Sequence, residues 1–117
     1  MTGYLTTAEK VSALGPAYMR VLSTGDAMQL VAMTLEPGEE TGTVAHADAD
    51  QLVVFLTGWP IDVTVESEHH QVPAGTVLFV PKGASHNFAN TGSLPVTILT
   101  AFSPPDLPAD FVKETRR

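Results

Sequence analysis

The sequence contains no cysteine. Without this residue the chain can form neither disulfide bonds nor a thiolate metal site. Basic residues are also scarce, since six Lys and Arg stand against thirteen Asp and Glu, for a net charge of −7 at pH 7. An acidic surface repels phosphate backbones and anionic lipid, so the composition argues against nucleic acid and membrane as partners.

Long apolar runs are absent as well, and no stretch approaches membrane-spanning length. The first residues, MTGYLTTAEK, do not have the basic region followed by an apolar run that marks a signal peptide. We therefore expect a cytoplasmic location. Charged residues make up only 16% of the chain and apolar residues 44%, which predicts one folded domain and indicates that some surface is covered in an oligomer.

One short helix is predicted, over residues 6–14. Thr6 and Glu9 have the spacing of a capping box, and Gly15 followed by Pro16 ends the segment. We expect residues 1–16 to form an N-terminal arm that includes this helix.

After Pro16 the chain has the pattern of β-structure, with short apolar segments separated by turn residues about every eight to twelve positions. Strands are predicted over residues 18–23, 28–35, 41–46, 51–57, 61–66, 76–80, 85–89 and 95–102, and a polar turn over 68–70. This pattern favours an all-β barrel or sandwich over residues 17–102. Residues 103–117, rich in proline and charge, are expected to wrap the surface or reach a partner subunit.

The stretch GTVLFVPKGASHNFAN sets five residues at fixed spacings: Gly75, Pro81, Gly83, His86 and Asn90. Glycine permits the positive φ angles of tight turns, and proline presets φ, so these residues shape the turns on either side of a buried strand. In this spacing the stretch resembles the second conserved motif of the cupins.

The stretch from Gly38 to Gly58 is similar to the first cupin motif. The family's pattern has two histidines one residue apart and then a glutamate; here these positions hold Val44, His46 and Gln51. Asp50 also follows His46 closely, but it is one residue out of register with Gly58, and one residue on a strand means the opposite face. We therefore prefer Gln51 as the counterpart of the glutamate.

The likeness extends over about residues 20–105 and is carried also by LEPGEETG, HADADQ, VPKGASHNFANTG and SPP. It points to the small single-domain cupins that are similar to mannose-6-phosphate isomerase. The resemblance implies an all-β double-stranded β-helix, or jelly roll, and a homodimer. The tail lacks the histidines that relatives often carry there.

The resemblance also implies a metal site formed by His46, Gln51 and His86. Two imidazoles and an amide oxygen suit one divalent ion of Fe, Mn, Ni, Zn or Cu, among which the sequence does not distinguish. Because all three ligands are neutral, we expect an anionic, chelating small-molecule ligand. Phe55 and Phe88 have the same strand parity as Gln51 and His86, and we expect them to line the pocket.

Two functions remain open from the sequence. The first is a metal-dependent enzyme of dioxygenase, isomerase or lyase type that acts on a small oxygenated metabolite. The second is a non-catalytic small-molecule-binding cupin in which the motif histidines are structural. Catalytic residues are not identified; the acids Glu39, Glu40, Asp48 and Asp50 are candidates for a general base, although a solvated acidic loop is the commoner outcome.

Overall fold

The computed structural model describes residues 3–15 and 17–115 and is almost entirely β-structure. Its elements in chain order are α1 (Ala8–Ser12), β1 (Met19–Thr24), β2 (Gln29–Leu35), β3 (Asp50–Phe55), β4 (Ile61–Val65), β5 (Glu68–Val72), β6 (Val77–Val80), β7 (His86–Asn90), β8 (Val96–Ser103) and β9 (Val112–Lys113). None of the described residues forms a helix with the length and hydrophobicity needed to cross a membrane.

The strands form two antiparallel sheets that enclose one core. The larger sheet has the order β6-β3-β8-β2-β1-β9 and the smaller one the order β5-β4-β7. Alternation along β3 shows why the sheets face each other: Gln51, Val53 and Phe55 are buried, whereas Asp50 and Leu52 are exposed. The fold is the double-stranded β-helix with a short N-terminal helix that the motifs predict.

The helix begins one residue later than the sequence indicates. Thr7, not Thr6, is the N-cap, and its hydroxyl accepts a hydrogen bond from the Lys10 amide at 3.0 Å. Because the residue three positions after Thr7 is a lysine, no capping box with Glu9 forms. The helix packs against β8 and buries Val11.

Two of the predicted assignments, one strand and one turn, are corrected by the structure. Residues 41–46 form no strand and make one isolated bridge, between Val44 and His86. His69 and His70 lie in strand β5 and not in a turn, because the chain reverses earlier, at Glu66, whose φ is 53°. The tail contributes β9, which pairs with β1. Of the two outcomes expected for the tail, this is the one in which it wraps the surface of its own barrel.

The motif glycines Gly75 and Gly83 stand at the turns before and after β6. Both have positive φ, 92° and 84°. Side chains beyond glycine rarely adopt this region of backbone space, so the two positions hold the turns that set β6 beside β3.

Candidate functional site

A cavity of about 110 Å³ lies between the two sheets. It is lined by Tyr18, Met19, Met33, Thr41, Val44, His46, Gln51, His86, Phe88, Phe102 and Leu107. The structure thus brings together the three candidate ligands, His46, Gln51 and His86, and one of the two expected pocket residues, Phe88.

His86, the first residue of β7, has a buried imidazole with one nitrogen already engaged. Its Nδ1 lies 3.2 Å from the Ala84 carbonyl oxygen. A carbonyl can only accept, so Nδ1 carries the proton and the lone pair is on Nε2. Burial lowers the pKa of His86; the bond to Ala84 raises this pKa, and the nearby His46 lowers it further. His86 therefore stays neutral, which is the form that binds a metal.

His46 is held in the same way but by a carboxylate. Its Nδ1 lies 2.9 Å from Asp106 Oδ2, and a carboxylate accepts, so this imidazole too keeps its lone pair on Nε2 when neutral. The ring centroids of His46 and His86 are 5.3 Å apart. The Phe102 ring meets His46 edge-on with centroids 4.8 Å apart and completes the packing around it.

Gln51 points from β3 into the cavity and is 2% exposed. Its Oε1 is buried and has no hydrogen-bond partner. An unpaired buried acceptor costs on the order of 1–3 kcal/mol, so it needs an explanation. The other such atom among the described residues is Thr100 Oγ1, which lies in the core and does not line the cavity.

Asp50, the neighbour of Gln51, points to the outside of the barrel. Its Oδ1 accepts a hydrogen bond from the Lys82 amide at 2.9 Å. The other candidate acids, Glu39, Glu40 and Asp48, do not line the cavity either. Within the described ranges no group of three or more His, Cys, Asp or Glu side chains converges on a common point.

The two phenylalanines expected at the pocket lie at different depths. Phe88 lines the cavity, whereas Phe55 does not. Phe55 is fully buried and packs edge-on against Phe88, with ring centroids 5.3 Å apart. Parity along β3 places Phe55 on the same face as Gln51, but it is further from the cavity and is part of the core.

Sequence reasoning missed the contribution of the tail. Asp106 and Leu107 lie after β8, outside both motifs, yet one contacts His46 and the other lines the cavity. Asp106 is 60 residues from His46 in the chain, so no local spacing connects them.

The cupin domain model (Cupin_2) matches residues 31–102, more than half of the chain. The sequence is 27% identical over 118 residues to the uncharacterized protein YrkC of Bacillus subtilis (strain 168), a match that covers 97% of this chain. The chain spans 63% of the length of YrkC.

The solved structures that are similar include the following two. BH2720 of Bacillus halodurans has a TM-score of 0.92 and 25% identity, covering 99% of this chain and 91% of that one. A predicted oxalate decarboxylase of Thermotoga maritima has a TM-score of 0.63 and 22% identity, covering 86% and 76%. At that identity the second likeness concerns the fold alone. From the matched domain and the barrel, the chain belongs to the cupin family.

Proposed function

We propose that this cupin binds one divalent metal ion through His46, His86 and Gln51. The observation that carries the proposal is the buried, unpaired Oε1 of Gln51 in a cavity shared with two imidazoles. Because the Nδ1 atoms of both histidines are engaged elsewhere, their Nε2 atoms are the free donors. A metal ion would use all three, and it would remove the cost of leaving the Gln51 oxygen without a partner.

The donor set favours certain metals and ligands. Nitrogen and neutral oxygen donors suit the divalent ions of Fe, Mn, Ni, Zn or Cu. Three neutral ligands leave the charge of the ion uncompensated, and among the described residues of the lining there is no Lys or Arg that would compete for an anionic oxygen. An anionic small molecule with two oxygen donors fits such a centre, and the apolar side chains around it favour a small carbon skeleton.

We favour a metal-dependent enzyme acting on a small oxygenated metabolite, of dioxygenase, isomerase or lyase type. A metal bound here would act as a Lewis acid on an oxygen of the ligand. The chain itself would exclude water with Phe88, Phe102 and Leu107 and would hold the two imidazoles in orientation through Asp106 and Ala84. None of the four candidate acids faces the cavity, so none of them is assigned the role of general base.

The second candidate is a small-molecule-binding cupin without catalysis. The mostly apolar lining and the lack of an anionic metal ligand favour it. In that case His46 and His86 would have a structural role in the barrel, and they would hydrogen-bond the ligand without a metal ion. Metal binding separates the two candidates first, and turnover of dicarbonyl and catechol-like compounds, with and without a chelator, separates them second.

The purified protein is expected to bind one metal ion per chain, and Val44→His is expected to bind it at least about tenfold more tightly. Val44 and His86 exchange both backbone hydrogen bonds, at 3.0 and 2.8 Å, so their side chains are direct neighbours. Since Val44 lines the cavity, a histidine there would add a third imidazole. Elemental analysis gives the stoichiometry, and calorimetric titration with Co(II), Ni(II) and Zn(II) gives the affinities.

The matched control is Leu94→His, which adds a histidine at a side chain that is 70% exposed and does not line the cavity. It is expected to leave the affinity of the cavity unchanged. A parent protein that retains no ion after exposure to all candidate metals, together with no gain in Val44→His, would contradict the proposed metal site.

We also propose a homodimer, through an outer apolar face formed by Leu52, Val77 and Phe79. These side chains are exposed on β3 and on β6, the edge strand of the larger sheet, and Leu52 pairs directly with Phe79. An exposed apolar edge invites pairing with another chain. Light scattering should give the mass of two chains for the parent and the mass of one chain for Phe79→Glu. A parent that is monomeric at all concentrations would refute the dimer.

The cytoplasmic location and the absence of nucleic acid and membrane partners stay predictions.

A further inference from the structure

The segment that follows β8 forms part of the cavity although it lies outside both motifs. Asp106 holds the Nδ1 atom of His46, and Leu107 lines the cavity. The position of this short segment therefore affects both the orientation of one imidazole and the closure of the cavity.

A single buried side chain holds that segment in place. Gln29, the first residue of β2, is fully buried, and its Oε1 accepts hydrogen bonds from the amides of Asp106 and Leu107 at 3.1 and 3.0 Å. Its Nε2 donates to the Leu107 carbonyl at 2.7 Å and to Thr24 Oγ1 at 3.0 Å. The amide thus uses both of its donors and both acceptor positions, three of them on the tail.

The rest of the tail is attached at its two ends. Ser103 donates to the Ala27 carbonyl at 2.9 Å, and β9 pairs with β1, with flanking backbone bonds from Tyr18 to Glu114 and from Val21 to Phe111. Most residues between Ser103 and Asp110 are exposed. The Gln29 bonds to the tail are part-buried, whereas the Ser103 bond is exposed, and water competes less for the part-buried bonds. Gln29 is therefore the firmer of these two attachments, and it bonds directly to the two residues at the cavity.

We propose that Gln29 is a positioning residue that holds the backbone of Asp106 and Leu107 in place. With the backbone held, Asp106 fixes the Nδ1–H form of His46, and Leu107 closes the cavity. Gln29 touches neither the ligand nor the proposed metal. It acts through Asp106, in the way that outer partners of a metal-bound histidine set its tautomer and orientation. The part of this inference that concerns metal affinity rests on the proposed metal site; the part that concerns His46 does not.

The first test is metal affinity in Gln29→Leu, Asp106→Ala and the double variant. Each single variant is expected to lose about 10–100-fold in affinity, the usual effect of removing an outer partner of a ligating histidine. If Gln29 acts through Asp106, the double variant loses no more than the weaker-binding single variant. Losses that multiply in the double variant would overturn the proposal. Gln71→Leu and Asp110→Ala repeat the two changes at exposed positions away from the cavity and are expected to have no effect.

The second test needs no metal. Two-bond ¹H–¹⁵N spectra of the metal-free protein at about pH 9, where imidazoles are neutral, report which nitrogen of His46 carries the proton. The parent should show the Nδ1–H form, and both Gln29→Leu and Asp106→Ala should shift His46 toward Nε2–H while His86 stays unchanged. If the parent binds no metal but these shifts occur, the proposed metal site is wrong, while the positioning role of Gln29 is supported. A folded Gln29→Leu variant whose His46 spectrum matches that of the parent overturns the positioning role of Gln29.

Gln29→Leu leaves three backbone groups of the tail without their partner and could unfold the protein. Gln29→Glu covers that case, because it keeps the acceptor for the Asp106 and Leu107 amides. It removes the two N–H donors, to the Leu107 carbonyl and to Thr24 Oγ1. It is expected to show the same change at His46 to a smaller extent. A folded Gln29→Glu that matches the parent in both the spectrum and the metal affinity would overturn the proposal.

Discussion

His86→Ala is expected to weaken the binding of a divalent first-row metal by more than about 100-fold, beyond the usual cost of losing an outer partner. His86 is 3% exposed and sits in the cavity with its free nitrogen available. Its removal would leave one imidazole and one neutral amide, a set too weak to hold an ion against water. Calorimetric titration and the visible spectrum of bound Co(II) measure the loss.

His69→Ala is the matched control, because His69 lies on β5 with a side chain that is 60% exposed. It should bind metal like the parent. Circular dichroism and thermal unfolding show whether the barrel of His86→Ala is intact. A folded His86→Ala variant that binds metal with the parent's affinity would show that the ion, if any, is held elsewhere.

Phe55→Ala is expected to lower the free energy of unfolding by about 3–5 kcal/mol, the range for removing a large buried aromatic side chain. Phe55 is fully buried on β3 and packs edge-on against Phe88 in the core. A chain of this size has only about 5–15 kcal/mol of stability in total, so the loss is a large part of it. Urea denaturation of the metal-free protein measures the change.

Leu94→Ala is the control for Phe55→Ala. It truncates a side chain that is 70% exposed and is expected to change the free energy of unfolding by less than about 0.5 kcal/mol.

The Phe55→Ala variant also separates the two interpretations of Phe55, as a core residue or as a pocket residue. A core residue affects stability and leaves ligand affinity largely unchanged, whereas a pocket residue would do the opposite. A loss below about 1 kcal/mol in Phe55→Ala would contradict its place in the core.

Short-range patterns account for what could be predicted from the sequence. The alternation of Asp50 and Gln51 across a strand follows from the period of two, and the structure places Asp50 outside and Gln51 in the cavity. The spacing of Gly75, Gly83 and His86 predicts two turns around a strand, and the backbone has them. In each case the pattern and the structure involve residues that are close in the chain.

Other features depend on contacts that a local pattern does not contain. Residues 41–46 have strand-like composition but make only one isolated bridge, at Val44. His69 and His70, which lack apolar alternation, pair with β4. Gln29 gave no signal at all, since a buried amide at the start of a strand is notable only when its partners are known. Those partners, Asp106 and Leu107, are separated from it by 77 and 78 residues.

The sequence by itself determined the resemblance to the cupins, which implies the β-barrel and the three neutral candidate ligands, because the motif spacings that carry the resemblance involve residues close together in the chain. Only the tertiary structure decided that both imidazoles have Nδ1 engaged, that the Gln51 oxygen lacks a partner, and that Phe55 lies in the core. It also decided that the tail is part of the site. These facts depend on which distant segments the fold brings within hydrogen-bonding distance, and that is set by the packing of the whole barrel.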